Sequence, residues 1–276
     1  MTQTIVFIGG GNMARSLVGG LIADGVDPSS LWVTDPGEEQ RQGVQALFGV
    51  RTAATNRDTA ALGDVLVLAV KPQVLKAVAL ELAPVVQERH PLVVSIAAGV
   101  RSDDLNRWLG GGVALVRAMP NTPALVQTGA TGLFSRPEVT PSQRSAAESI
   151  LRAVGLTLWL EDEVLMDTVT ALSGSGPAYF FLIMEALEKA AISQGLTGSV
   201  ARLLTLQTAL GAARMAMESE EELSLLRARV TSRGGTTERA IQVLQEGGLE
   251  TLFTQALEAA RCRSVELAEV LGGQQQ

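Results

Sequence analysis

Ile5-Val6-Phe7-Ile8 runs straight into Gly9-Gly10-Gly11-Asn12-Met13-Ala14, and this junction constrains the fold more than any other stretch of the chain. Four consecutive apolar residues read as a strand covered on both faces, and the glycines after them permit the tight reversal that feeds a helix. The spacing fits G-x-G-x-x-A in the strand–turn–helix setting that gives the pattern meaning. In that setting Gly9 allows the turn and Gly11 lets backbone N–H groups approach a pyrophosphate. Ala14 is small enough for close helix–strand contact, and the helix N-terminus supplies positive potential.

From residue 4 to about 100, short apolar runs alternate with helical patterns, which predicts βαβ units and a doubly wound parallel sheet. Leu31-Trp32-Val33-Thr34, residues 64–70 and residues 92–96 are the next strands. Residues 113–117, 130–134 and 156–160 read as later ones, with a helix near 140–153. After Glu161-Asp162-Glu163 the strand signals stop, and segments 177–194, 199–217, 222–229, 236–246 and 249–271 carry apolar residues at helical spacing. The expectation is a dinucleotide-binding domain over 1–162 and an all-helical substrate-binding and dimerisation domain over 163–276. Gln274-Gln275-Gln276 reads as a frayed tail.

Composition narrows the function classes. The 276 residues suffice for two cores, and 18% charged residues fall below the roughly 25% of average soluble chains, so part of the surface is expected to be covered in an oligomer. The helical half is Ala- and Leu-rich over more than one face, which points to a homodimer made through it. The longest apolar runs, such as residues 179–184, fall well short of the roughly 18 residues of a membrane span, and no signal peptide precedes the first strand. One cysteine (Cys262) forbids an internal disulfide framework, one histidine (His90) leaves no Cys/His cluster for a zinc site, and a Ser-His-Asp triad is disfavoured. No metal is expected, and the cytoplasm is the natural compartment. Up to residue 162 there are 13 basic against 15 acidic residues, and beyond it 9 against 14, within an overall net charge of −7. Such a field repels polyanions, so nucleic acid is not an expected partner. The run Glu218-Ser219-Glu220-Glu221-Glu222 reads as a solvated helix junction.

Ligands of open α/β sheets bind outside the carboxyl ends of the strands, which singles out several turns. Asp35 ends the second strand where an acidic residue accepts ribose hydroxyls in NAD sites and would repel the extra phosphate of NADP. Arg41, Asn56 and Arg57 could offset it, so the 2′ substituent stays open. Val70-Lys71-Pro72-Gln73 and Ser95-Ile96-Ala97-Ala98-Gly99-Val100 would line the groove, and the two-proline turn 117–123 offers the amide of Asn121 and the hydroxyl of Thr122. Ser173-Gly174-Ser175-Gly176-Pro177 breaks one helix and starts the next, with Pro177 suited to a first turn. In Val230-Thr231-Ser232-Arg233-Gly234-Gly235-Thr236-Thr237, small residues precede a helix and leave backbone N–H groups unpaired. That is an anion cradle, to which the hydroxyls of Ser232, Thr236 and Thr237 add directional bonds. Ordinary capping by Thr236 is the alternative.

Together, the glycine turn, Val70-Lys71-Pro72-Gln73, Met119-Pro120-Asn121-Thr122-Pro123, the 173–179 segment and the 230–237 segment closely resemble the pyrroline-5-carboxylate reductase family, in family order and across almost the whole chain. The resemblance implies reduction of 1-pyrroline-5-carboxylate to L-proline, the last step of proline biosynthesis. The cofactor would be NADPH by family default, with NADH possible. A Rossmann domain would precede a helical domain that makes homodimers, assembled in some members into larger rings. Carried over by position, Gly9, Gly11, Asn12 and Met13 would hold the pyrophosphate and Asn56 the adenosine end. Lys71, Pro72, Ala97 and Asn121 would line the nicotinamide side. Ser232, Gly234, Gly235, Thr236 and Thr237 would hold the substrate carboxylate, with Thr237 the catalytic candidate beside the ring nitrogen. The family usually has proline where this chain has Arg233, a departure that bears on substrate affinity.

A cyclic imine can take its proton from water, which agrees with the scarcity of acid–base residues in the helical half. The protein then contributes mainly orientation, with the imine carbon about 3–3.5 Å from nicotinamide C4 and the Thr237 hydroxyl on the ring nitrogen. Three alternatives remain. A β-hydroxyacid dehydrogenase would need Lys189 as catalytic lysine, although among Leu187-Glu188-Lys189-Ala190-Ala191 it reads as surface. The others are another imine reductase and an NAD(P)-binding sensor without catalysis.

Overall fold

The computed structural model describes residues 3–273; the expected fraying of Gln274-Gln275-Gln276 falls outside them. The elements run β1 (Ile5–Ile8), α1 (Asn12–Ala23), β2 (Leu31–Thr34), α2 (Glu38–Phe48), β3 (Arg51–Ala53), α3 (Arg57–Ala60), β4 (Val65–Leu68), α4 (Pro72–Arg89), β5 (Leu92–Ser95), α5 (Ser102–Trp108), β6 (Leu115–Met119), β7 (Gly129–Ser135), α6 (Pro141–Arg152) and β8 (Gly155–Trp159). There follow α7 (Leu165–Val169), a π-helical turn (Thr170–Gly174), α8 (Gly176–Ser193), α9 (Gly198–Glu218), α10 (Leu223–Arg229), α11 (Thr236–Glu246) and α12 (Leu249–Gly272).

The strands form one sheet in the order β3-β2-β1-β4-β5-β6-β7-β8. Neighbours from β3 to β6 pair in parallel, as the alternating pattern predicts. Beyond the stretch read as parallel, one ladder changes direction: β7 is antiparallel to β6, while β8 returns parallel to β7. Residues 120–128 are the reason, since a parallel crossover needs a dozen or more residues and this link has room only for the 3-10 turn Thr122–Val126. Strand alternation splits the core in two. Phe7, Val33, Val67 and Val94 face one side with Leu17, Val18 and Ile150; Ile8, Leu66, Leu68 and Leu115 face the other with Leu75, Leu82 and Trp108. That is a doubly wound sheet with helices on both faces.

By contacts the chain divides into two compact units, one reaching Ser175 and taking in the chain from Ala259, the other Gly176–Glu258. The sheet-bearing unit therefore extends past the 162/163 boundary drawn from the strand pattern. α7 packs on β7, and the hydroxyl of Ser264 in α12 donates to the buried carboxylate of Asp167 in α7 at 2.6 Å. Glu163 adds a second tie. Its Oε1 accepts from the Ser102 N–H at 2.7 Å and from Arg117 Nη1 at 2.9 Å, and its Oε2 accepts from the Ser102 hydroxyl. One carboxylate thus fills the start of α5 and neutralises an arginine whose side chain is only 4% exposed in the middle of β6.

The second unit is all helix, with α8 packed on α9. Its apolar residues are largely uncovered: Phe180, Phe181, Leu182, Leu203 and Leu210 are all more than half exposed, and α10 and α11 bury no residue. Among the described residues no helix is long and apolar enough to cross a membrane.

Removing the carboxylate of Glu163 leaves Arg117 charged and buried. Glu163→Ala is expected to cost about 3 kcal/mol, with Glu163→Gln, which keeps an acceptor for Ser102, costing less. Urea unfolding at fixed protomer concentration checks this, and an unchanged midpoint for Glu163→Ala would remove the carboxylate from the account.

Candidate functional site

Because β1 to β6 are parallel, the residues that follow β1, β2, β3, β4, β5 and β6 all emerge at one edge of the sheet. That edge gathers Gly9–Met13, Asp35, Asn56, Lys71–Pro72, Ala97 and Asn121. His90 ends α4 at the opposite edge, which removes it from any chemistry there.

The glycine turn is shaped for a bound group. Gly9 has φ +105°, and a Cβ there would lie 2.8 Å from the Ala69 carbonyl oxygen, so both conformation and space demand glycine. At Gly11 a Cβ would meet nothing within 4 Å, leaving open space above the helix start. Gly11 is the N-cap of α1 and its helix has no side-chain cap; the first intrahelical bond is Arg15 N–H to Gly11 O at 3.0 Å. The N–H groups of Asn12, Met13 and Ala14 therefore precede the helical ladder, with the positive end of the helix behind them. These residues fit the diphosphate of a dinucleotide.

The carboxylate of Asp35 serves the turn itself. Its Oδ2 accepts from the Gly10 N–H at 2.9 Å and its Oδ1 from the Gly37 N–H at 2.8 Å, which leaves further lone pairs for ribose hydroxyls. Asn56 sits at the start of α3, its Oδ1 accepting from the Thr34 hydroxyl at 2.7 Å and its Nδ2 donating to Glu81 at 3.2 Å. Lys71 is exposed at the start of α4, and Ala97 is 4% exposed. Asn121 is also buried. Its Nδ2 donates to the Ser173 carbonyl at 3.0 Å and its Oδ1 accepts from the Ala130 N–H at 2.9 Å, so its amide chiefly bolts the 117–123 turn to the π-helical turn and to β7.

That π turn is where the Ser173-Gly174-Ser175-Gly176 segment lies, and its Ser175 N–H reaches Thr170 O at 2.9 Å. Such turns recur at functional sites. A cavity of about 490 Å³ lies beside it, lined by Pro72, Gln73, Gly99, Thr170, Ser175 and Ser264 among others. Three segments singled out from the sequence thus border one space of ligand size.

In the helical unit, Gly235 N–H donates to Ser232 O at 3.0 Å, closing a turn across Arg233 and Gly234. Gly234 has φ +73°, the left-handed conformation such a turn needs at its third residue. A Cβ at Gly235 would strike the Ser232 hydroxyl at 2.5 Å. Gly235 is the N-cap of α11 and no side chain caps it, so the N–H groups of Thr236 and Thr237 come ahead of the first helical bond, Arg239 N–H to Gly235 O. One donor of the cradle is taken: the Gly234 N–H gives its hydrogen to Glu238 Oε2 at 2.7 Å. Glu238 is not among the residues singled out from the sequence, although a glutamate three residues after an N-cap is a capping signal. Lys189 is exposed and ion-paired to Glu185 on its own helix.

Two family models match the chain: pyrroline-5-carboxylate reductase dimerisation over residues 163–267, and NADP oxidoreductase coenzyme F420-dependent over residues 4–99. A pyrroline-5-carboxylate reductase of Pseudomonas aeruginosa is 52% identical over 271 residues, 98% of this chain and 99% of the relative. The chain belongs to the pyrroline-5-carboxylate reductase family. It is an oxidoreductase acting on a C=N bond, and its helical region is a dimerisation region, which makes it a homo-oligomer. A solved pyrroline-5-carboxylate reductase of Coxiella burnetii superposes with a TM-score of 0.94 at 51% identity, covering 97% of this chain and 99% of that one. The Plasmodium falciparum pyrroline carboxylate reductase, solved with NADP bound, superposes at 0.85 with 27% identity over 96% and 98%. A 3-hydroxyisobutyrate dehydrogenase at 18% identity shares the fold alone.

Arg233, where the resemblance drawn from the sequence implies proline, stands at the second position of the Ser232–Gly235 turn, and proline there would preset the required φ. The Arg233 side chain is exposed, and its N–H makes no hydrogen bond among the described residues. Arg233→Pro is therefore expected to stabilise the protein by about 0.4–1 kcal/mol. Thermal unfolding tests this; a fall in midpoint would mean the turn needs a φ that proline cannot supply.

Proposed function

We propose that the sheet-edge turns hold the dinucleotide and that the 232–237 cradle holds the carboxylate of 1-pyrroline-5-carboxylate while it is reduced to L-proline. The observation that carries this reading is the uncapped start of α11. Thr236 and Thr237 offer open N–H groups and hydroxyls to an anion, on a turn whose glycines exclude side chains. A carboxylate at a helix start gains roughly 0.3–1 kcal/mol, up to about 2 kcal/mol when partly buried.

On this reading Gly9, Gly11, Asn12 and Met13 take the diphosphate, Asp35 the ribose hydroxyls and Asn56 the adenosine end. Lys71, Pro72, Ala97 and Asn121 border the nicotinamide side, the last chiefly by holding its turn in place. Ser232, Gly234, Gly235, Thr236 and Thr237 hold the carboxylate, with the Thr237 hydroxyl on the ring nitrogen. The bound dinucleotide supplies the hydride. NADPH is the cofactor by the precedent of the Plasmodium enzyme and of the NADP oxidoreductase match, and NADH is compatible. The division of labour follows the 1–162 and 163–276 segments, the second nearly coinciding with the dimerisation match. Dimers form through that region, rings of dimers extend it, and the enzyme works in the cytoplasm.

His90 lies at the far edge of the sheet, and Lys189 is engaged with Glu185, which also speaks against a hydroxyacid dehydrogenase built on that lysine. Water can supply the proton, and the protein's contribution is orientation.

Two measurements test this. Oxidation of NADPH, followed at about 340 nm, is expected with pyrroline carboxylate and not with a keto or semialdehyde acid. Thr237→Ala is expected to lower kcat by roughly tenfold, the loss of one positioning hydrogen bond. Unchanged kcat and KM would take Thr237 out of the mechanism.

A further inference from the structure

The reaction leaves unused a second, smaller cavity in the sheet-bearing unit. It holds about 210 Å³ and is lined by Arg101, Asp103, Arg117, Glu163, Val164 and Asp167, all charged but one. Much of that charge is matched by neighbours. Both oxygens of Glu163 are taken, by the Ser102 N–H, the Ser102 hydroxyl and Arg117 Nη1, and Asp103 is ion-paired with Arg136. Three groups are left over. Asp167, 5% exposed, spends one oxygen on the Ser264 hydroxyl, and its other oxygen makes no hydrogen bond or ion pair among the described residues. Arg117, 3% exposed, spends only Nη1, so its Nε and Nη2 donors are unused there. None of these unused atoms is sealed inside the protein, so they open onto the cavity they line. Arg101, exposed just ahead of α5, makes no side-chain hydrogen bond or ion pair among the described residues.

Charged groups taken out of bulk water need hydrogen-bond partners, and here the fold supplies only some of them. Positive donors and a negative acceptor facing one small space suit a ligand that carries both charges. Its carboxylate would accept from Arg117 and Arg101, and its ammonium would donate to the open oxygen of Asp167. A phosphate would be opposed by Asp167, and a simple cation by the two arginines. At roughly 30 Å³ per liquid water the space holds about seven waters, the bulk of a small amino acid and far less than a nucleotide. We propose that this cavity is a binding site for a small zwitterionic α-amino acid, separate from the catalytic site. Asp167 lies in α7, which runs directly into the π turn Thr170–Gly174, so a bound amino acid would brace the segment that borders the larger cavity. The proposal stands on the sheet-bearing unit alone and is independent of the role given to the start of α11.

The test is calorimetric titration of the full-length protein with L-alanine, with acetate and methylammonium, each bearing one of the two charges, as comparators. Alanine is expected to bind at millimolar concentration and both comparators at least about tenfold more weakly. Asp167→Asn removes the charge and keeps an acceptor for Ser264; Arg101→Ala removes an exposed side chain on which no described contact depends. Each is expected to weaken alanine binding by about tenfold, the loss of one charged contact. Thr237→Ala, in the α11 cradle, is expected to leave alanine binding unaltered within about twofold. No alanine binding at about 50 mM, where a millimolar site is nearly full, overturns the proposal. So does acetate or methylammonium binding as tightly as alanine, or a loss below about threefold in either cavity variant. A loss in Thr237→Ala instead would place the amino acid in the cradle and overturn the proposal as well.

Discussion

The structure depends on backbone N–H groups left open where helices begin. A helix start without a partner for its first amides is unfavourable, and an ordinary cap is worth about 1 kcal/mol. Two helices meet that need from within, while several others, α2 with its Gly37 cap among them, begin without a side-chain cap. Thr140 and Gln143 form a complete capping box on α6, and Glu163 fills the start of α5. At α1 and α11 a glycine occupies the cap position and no side chain caps the helix, so the amides there are available to anions from outside. The first suits a diphosphate at the carboxyl edge of the sheet, and the second a carboxylate in the helical unit. Glu238 on the Gly234 N–H illustrates that affinity with the chain's own carboxylate.

Much of this was legible in the sequence because it is local. Continuous apolar runs marked β1, β2, β4 and β5, which are buried on both faces, and helical spacing placed α8, α9, α10, α11 and α12 to within a residue or so of their ends. β3 (Arg51–Ala53) escaped because it is a short edge strand of polar and small residues with no buried member, and α3 because one turn has no period to read. The antiparallel β7 was hidden for a different reason: strand direction follows from the length of the 120–128 link, not from the strand's composition.

The site shows the same division. Glycines and small residues could be read as turn and cradle from their spacing, since those properties belong to the backbone. What long-range hydrogen bonds do to a side chain was not readable. Asn121 reads as an amide offered to a ligand, yet its amide joins segments far apart in the chain. Asp35 reads as a ribose acceptor, yet it also ties Gly10 to Gly37. The π turn at Thr170–Gly174 has no period that a sequence pattern could expose. The exposed apolar residues of α8 and α9, by contrast, bear out the expectation that one chain cannot cover its own helical half, in keeping with the dimerisation match.

The central claim is that the start of α11 is the carboxylate site of this enzyme. A crystal structure of the protein with NADP and L-proline tests it most directly. The account predicts the proline carboxylate accepting hydrogen bonds from the N–H groups of Thr236 and Thr237. A carboxylate bound away from residues 232–237, with those amides on solvent or on the chain itself, would contradict it.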